Sequence, residues 1–158
     1  MAKLPFDISV VLRRVRKEVA QYADAAMFEL RDRKFGSLFQ QLVACIISIR
    51  TRDEASLPAA IRLFEIAPGA EEISRLDVSE IDALIRPATF HHGKAKQIHD
   101  IAVRTVEEFG GTLPADAEIL MSFHGVGPKC ANLALGVAEG QSRISVDVHV
   151  QRVTNRWG

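Results

Sequence analysis

The sequence predicts an all-α protein, a bundle of eight to ten helices. Apolar residues recur at helical spacing through most of the chain. Strand-type alternation is hard to find, and aromatics, which favour strands, make up only 6% of residues. Glycine and proline punctuate the chain at helix-length intervals.

Taken in order, Asp7 can cap a first helix whose Ile8, Val11, Leu12, Val15 and Val19 share one face. A polar connection follows around Arg31-Asp32-Arg33-Lys34. The stretch from Phe35 to Ile49 is apolar almost all round, which predicts a central buried helix. Thr51 or Asp53 can open the next helix, running to about Phe64, and Pro58 inside it predicts a kink or a later start. Ala67-Pro68-Gly69 stops it. Short helices are predicted over 70–75 and 79–86, the second opened by Ser79 and closed before Pro87. A loop holding Phe90-His91-His92-Gly93 leads into a helix over 94–109, ended by Gly110-Gly111 with Pro114 beyond. Helices over 115–122 and 128–139 flank the turn Gly125-Val126-Gly127, and a last helix follows Ser145, still apolar at Val148 and Val153.

The 158 residues amount to one domain or two small ones. No apolar run approaches the roughly 18 residues of a membrane span. The opening Met1-Ala2-Lys3-Leu4-Pro5-Phe6 lacks the apolar stretch of a secretory signal. Cys45 and Cys130 lie in apolar helical contexts and read as buried free thiols of a reducing cytoplasm. The net charge of zero excludes a histone-like basic blanket. Any nucleic-acid binding must come from local groups such as helix N-termini, turn amides and a few Lys or Arg.

The chemistry is densest near the C-terminus. Glycines at both ends of a short interhelical turn let backbone amides face an incoming molecule, and helix N-terminal amides bind phosphate without net positive charge. Gly125, Val126, Gly127 and Pro128 have that pattern, against the plainer reading of a tight turn with no ligand. Lys129 falls in the first turn of the next helix, where the dipole prefers anions. It is either a solvated lysine or a nucleophile, since an amine at such an end, partly buried, holds its proton less firmly. Asp147, eighteen residues on, is either an N-cap or a carboxylate facing a cleft. Phe90 is either a buried aromatic or a wedge for the base stack, and Arg50-Thr51-Arg52 either a solvated cap or a DNA contact. The five histidines and two cysteines show no HxxxH, HExxH or CxxC spacing, so no metal site from side chains is predicted. A monovalent cation on hairpin carbonyls stays open.

With its hairpin and the downstream Val146-Asp147-Val148-His149, the chain resembles the helix-hairpin-helix DNA glycosylases, and among them endonuclease III, from about Phe35 onward. The resemblance implies a six-helix barrel over 25–140, with the helix-hairpin-helix motif at about 115–139, and a partial second helical domain of 1–24 with 141–158. It implies a base excision repair enzyme removing oxidised pyrimidines, with AP lyase activity through a lysine Schiff base. Lys129 and Asp147 would be catalytic; Gly125, Val126, Gly127, Pro128, Arg50, Phe90, His91 and His149 would bind DNA. The implied partner is double-stranded DNA with damaged bases or abasic sites, in the cytoplasm and associated with the nucleoid. The alternatives are a non-catalytic DNA-binding module on the same hairpin, or a glycosylase of different lesion specificity.

Three departures bear on this. Arg50 stands where the family usually has glutamine, and Phe90 where it commonly has leucine. The family often carries an iron–sulfur cluster on four cysteines in later helices that return to the first one; those cysteines are absent here, so no cofactor is expected in this chain. The chain thus reads as truncated or as a member without the cluster domain. Its first and last helices are then expected to expose apolar surface and to favour self-association.

Overall fold

A computed structural model describes residues 7–157, and the described residues form ten helices and no strand. They divide into two units, one of residues 25–145 and one of residues 7–24 with 146–157.

The larger unit is built around α3 (Leu38–Ser48), in which every residue from Leu38 to Ile47 is buried. A helix apolar on all sides can satisfy itself only in the middle of a bundle, and α3 packs on α2 (Ala26–Asp32), α4 (Asp53–Ile66), α7 (His91–Phe109) and α9 (Pro128–Glu139). Its start lies later than Phe35 because Ser37 and Gln40 form a reciprocal capping box. Cys45 and Cys130 are buried and free, one on α3 and one on α9. Their thiols share a hydrogen bond that, with burial, pushes Cys45 well above the usual thiol range.

Helix α2 occupies part of the predicted polar connection and has no local cap: Ala25 precedes it and offers no side-chain acceptor. The Asp53 carboxylate accepts from the Ala26 amide at 3.1 Å instead. Helix α4 begins at Asp53, one of the two predicted openings, with Pro58 in its interior; of the kink or later start expected there, the later start does not occur. Proline removes one N–H from the ladder. Burial of Ser56, Ala59, Ala60, Leu63 and Phe64 holds the helix together on both sides of it.

Two further starts differ from expectation. Helix α5 (Ala70–Arg75) keeps its predicted span, but α6 (Val78–Leu84) is opened by Asp77 rather than Ser79. The Glu80 carboxylate accepts from the Asp77 amide at 2.7 Å and completes a capping box. Replacing Asp77 with alanine is expected to cost about 1 kcal/mol in urea unfolding, the usual worth of such a cap. Helix α7 starts at His91, so the histidines lie in its first turn and not in a loop. Its N-cap Phe90 takes a left-handed conformation with φ 58° and caps nothing with its side chain. Helix α8 (Ala117–Met121) is capped by Asp116 and leads to the turn before α9.

The smaller unit's described residues form α1 (Ile8–Val19) and α10 (Val148–Trp157). Asp7 caps α1 as expected, accepting from the Ser9 and Val10 amides. The predicted apolar stripe is present but uncovered: Ile8, Leu12, Val15 and Val19 are exposed, as are Val148, Val150 and Val153 on α10. No described helix is long and apolar enough to cross a membrane.

Candidate nucleic-acid interface

The turn between α8 and α9 is held from below by α7. Gln97 Nε2 donates to the His124 carbonyl at 2.7 Å, and Arg104 donates to the Ser122 carbonyl and hydroxyl. The Arg104 guanidinium also lies 4.7 Å from the Phe123 ring centroid. Val126 is buried and its amide bonds to the Phe123 carbonyl at 3.1 Å, which closes the turn.

The two glycines have different reasons to be there. Gly125 has φ 76°, and a Cβ on it would stand 2.7 Å from Gln97 Nε2. The backbone therefore favours glycine at that position, and a Cβ there would push the Gln97 amide off the His124 carbonyl. Gly127 has φ −105° and ψ 179°, ordinary extended backbone, and a Cβ there would meet nothing within 4 Å. Nothing inside the protein demands glycine at position 127. Its bareness leaves the start of α9 open on the outside, where no side chain caps the helix and Pro128 takes the position that needs no N–H. The uncapped amides and the helix dipole make this end a ready site for an anion.

Lys129 is the second residue of α9 and its side chain is exposed. The partial burial expected of it is absent, and its place at the helix N-terminus is what sets it apart. Its carbonyl accepts from the Ser145 hydroxyl at 3.1 Å. Asp147 stands on the other unit and caps α10, accepting from the His149 and Val150 amides at 2.9 and 2.8 Å. His149 is exposed on the first turn of that helix.

Arg50 and Phe90, forty residues apart in sequence, come together: the guanidinium carbon lies 6.0 Å from the ring centroid. Phe90 is 64% exposed, which rules out the buried-aromatic reading. Both residues have positive φ, 53° and 58°. For non-glycine residues that conformation costs roughly 1–2 kcal/mol each. A clamp beneath them holds it. Lys94, buried, donates to the carbonyls of Ile47 and Ile49 at 2.7 and 2.6 Å and to the Thr51 hydroxyl at 3.1 Å. Thr51 also accepts from the Thr89 amide at 3.0 Å, tying the end of α3 to the residue before Phe90. Burial pushes the Lys94 amine down to about 8, so it remains mostly an ammonium at neutral pH.

His91 is half-buried. Its Nδ1 lies 2.6 Å from Asp82 Oδ1, and Nδ1 of His92 lies 2.9 Å from the same oxygen. Burial acts to raise Asp82, but its hydrogen bond to His91 and the nearby His91, His92 and Arg86 charges outweigh it and hold the carboxyl below its usual range. Three metal-type donors therefore meet within 4.8 Å, where sequence spacing predicted none. Spacing rules see ligands on one element, and here the third comes from α6.

Lys94 and Asp82 do not stand out in the sequence, and Thr51 does so only as a helix start or within the Arg50-Thr51-Arg52 cap or DNA contact. Lys94 was within reach: it lies on the same helical stripe as Ile98, Ile101 and Thr105, all buried. A lysine on an apolar stripe must find acceptors inside.

Residues 43–158 match the family described as HhH-GPD superfamily base excision DNA repair protein. The chain belongs to this superfamily. Endonuclease III of Thermotoga maritima is 34% identical over 128 residues, which cover 81% of this chain and 60% of that protein. A solved non-covalent endonuclease III–DNA complex superposes with a TM-score of 0.78 at 25% identity, over 93% of this chain and 65% of that one. A trapped endonuclease III–DNA covalent intermediate superposes with a TM-score of 0.71 at 30% identity, over 75% and 55%. The chain thus spans between 55% and 65% of the length of these HhH-GPD relatives. The all-helical fold is that of HhH-GPD glycosylases. The four thiolates of an iron–sulfur cluster are not supplied by these 158 residues, which hold two cysteines, both buried in the larger unit.

Proposed function

We propose that this chain is a base-excision DNA glycosylase with AP lyase activity on oxidised pyrimidines, acting on double-stranded DNA. The observation that carries the reading is a bare, uncapped helix start holding a lysine in its first turn, within a family whose similar member has been trapped as a covalent intermediate with DNA.

In this reading the amides around Gly125 and Gly127 hold a backbone phosphate. The damaged nucleotide is flipped out of the duplex while Phe90 enters the stack and Arg50 takes up the vacated space. Lys129 Nζ attacks C1′ of the sugar; the C1′–N bond breaks and the base departs with the electron pair. Asp147 offsets the positive charge on the sugar and helps free the amine of its proton. The sugar ring then opens: the C1′–O4′ bond breaks, O4′ leaves as a hydroxyl with a proton from the amine, and the nitrogen lone pair closes the Schiff base. This acidifies C2′, whose proton is lost as the 3′ phosphate leaves, nicking the strand. His91 and His149 are carried over as DNA contacts, and residues 25–140 as the six-helix barrel.

Borohydride trapping on one duplex with an abasic site and one with an oxidised pyrimidine tests the reading. A covalent adduct on both supports it. An adduct on the abasic duplex alone restricts the chain to lyase chemistry. Salt-dependent duplex binding without any adduct moves it to a binding module.

Gly127→Ala separates the turn's two roles. It is expected to change stability by no more than about 1 kcal/mol, because the new methyl meets open space. Duplex affinity is expected to fall by about tenfold, because the methyl stands where a phosphate approaches. Equal affinity of the two forms in a filter-binding titration would remove this turn from the interface.

A further inference from the structure

Asp82, His91 and His92 form a cluster that takes no part in the proposed bond-breaking steps, where His91 is assigned only a DNA contact. We infer that it binds a first-row transition-metal dication of the Zn2+ type, at the start of α7 and beside Phe90.

Consecutive residues on a helix point about 100° apart around its axis, so adjacent side chains do not ordinarily converge. These two do. Their rings lie 4.2 Å apart, and both Nδ1 atoms face one carboxylate oxygen at 2.6 and 2.9 Å. All three donor atoms fit within 4.8 Å. A tetrahedral zinc ion takes imidazole nitrogen at about 2.0–2.1 Å and carboxylate oxygen at about 2.0–2.2 Å, which sets its donors about 3.3 Å apart. The two imidazole–carboxylate spacings need to open by less than about 1 Å, and the imidazole donors already lie within 4.8 Å of each other.

The donor set decides the metal class. Two imidazoles with one carboxylate suit Zn2+, Co2+, Ni2+ or Cu2+ and not Mg2+ or Ca2+, which require oxygen cages. The platform is rigid on two sides. The Asp82 side chain is 13% exposed on α6, which packs on α7, and the His91 side chain is 24% exposed. The His92 side chain is 82% exposed, so the remaining coordination positions open to water. A dication here would be bound by the imidazoles in their neutral form. It would staple α6 to the first turn of α7 and so steady the turn that carries Phe90.

Equilibrium dialysis and calorimetry of the full chain with Zn2+ alone, and visible absorption with Co2+ alone, test the site. The expected result is one metal per chain with micromolar affinity, weakened about tenfold or more by each of Asp82→Asn, His91→Asn and His92→Asn. Replacing His99, His124 and His149 together with Asn is expected to leave binding unchanged. His92→Asn is the decisive variant, because an exposed side chain can be replaced without unfolding the chain; circular dichroism checks that its helix content is unaltered. Absence of stoichiometric Zn2+ binding, or binding that His92→Asn and Asp82→Asn leave intact, would overturn the inference. Mg2+ binding as tight as Zn2+ would do so as well.

Discussion

Lys129→Ala is expected to abolish the borohydride-trapped adduct and to lower strand nicking at an abasic site by a factor on the order of 10³ or more. The side chain is exposed, and its backbone carbonyl still receives the Ser145 hydroxyl in the variant. Stability should therefore change by no more than about 0.5 kcal/mol, the usual range at such surface positions. Loss of chemistry without loss of folding is the signature of a nucleophile. Retention of the adduct in Lys129→Ala would assign the Schiff base to another amine. Asp147 needs a subtler test because it is also the cap of α10. Asparagine caps a helix as well as aspartate does, so Asp147→Asn keeps the helix start and removes only the charge. Base release is expected to slow by about 10²-fold. An Asn variant as fast as the parent chain would leave Asp147 a cap and nothing more.

Much of the helix layout was legible because its signals are local. The span of α9, the Asp7 cap and the span of α5 follow from turn residues and periodicity within a few positions. What escaped the sequence depends on partners far along the chain. The cap of α2 comes from Asp53, twenty-seven residues on, so no motif announces that helix. Phe90 is a poor helix opener by local rules, and the histidines after it read as loop. The Thr51 hydroxyl accepts from the Thr89 amide thirty-eight residues on and is itself braced by Lys94, and that support lets α7 begin at His91. The meeting of Asp82 with His91 and His92 likewise depends on how α6 packs against α7. The hairpin glycines were both singled out, but only Gly125 needs its positive φ; at Gly127 the sequence could not distinguish conformational need from room for a ligand.

The second large effect is expected at Lys94. Lys94→Met keeps the length and apolar stem of the side chain but removes all three donations, leaving the Ile47 and Ile49 carbonyls without their buried partner. A loss of about 3 kcal/mol in urea unfolding at neutral pH is expected, since unmet buried acceptors cost about 1–3 kcal/mol each and partly relax toward solvent. The pH dependence carries a distinct mark. Burial lowers the folded amine to about 8 from 10.5. Between those values the unfolded chain binds the proton that the folded chain has released, so this group's contribution to stability rises with pH through that window. Below about pH 8 both states are protonated and the cost of burying the charge is felt in full. Subtracting the Lys94→Met curve from that of the parent chain removes the other titrating groups and isolates this rise; two parallel curves would mean that the amine is not buried in solution. The same substitution bears on the interface, because the clamp that Lys94 and Thr51 make is what holds Arg50 and Phe90 at positive φ. With the Lys94 contacts gone, only the Thr51–Thr89 hydrogen bond and the Arg50–Phe90 contact oppose the roughly 1–2 kcal/mol that each strained residue costs, and both residues are expected to relax. Duplex affinity should then fall in Lys94→Met even where the protein remains folded. Thr51→Val, which removes only the hydroxyl, should show a smaller loss in the same direction.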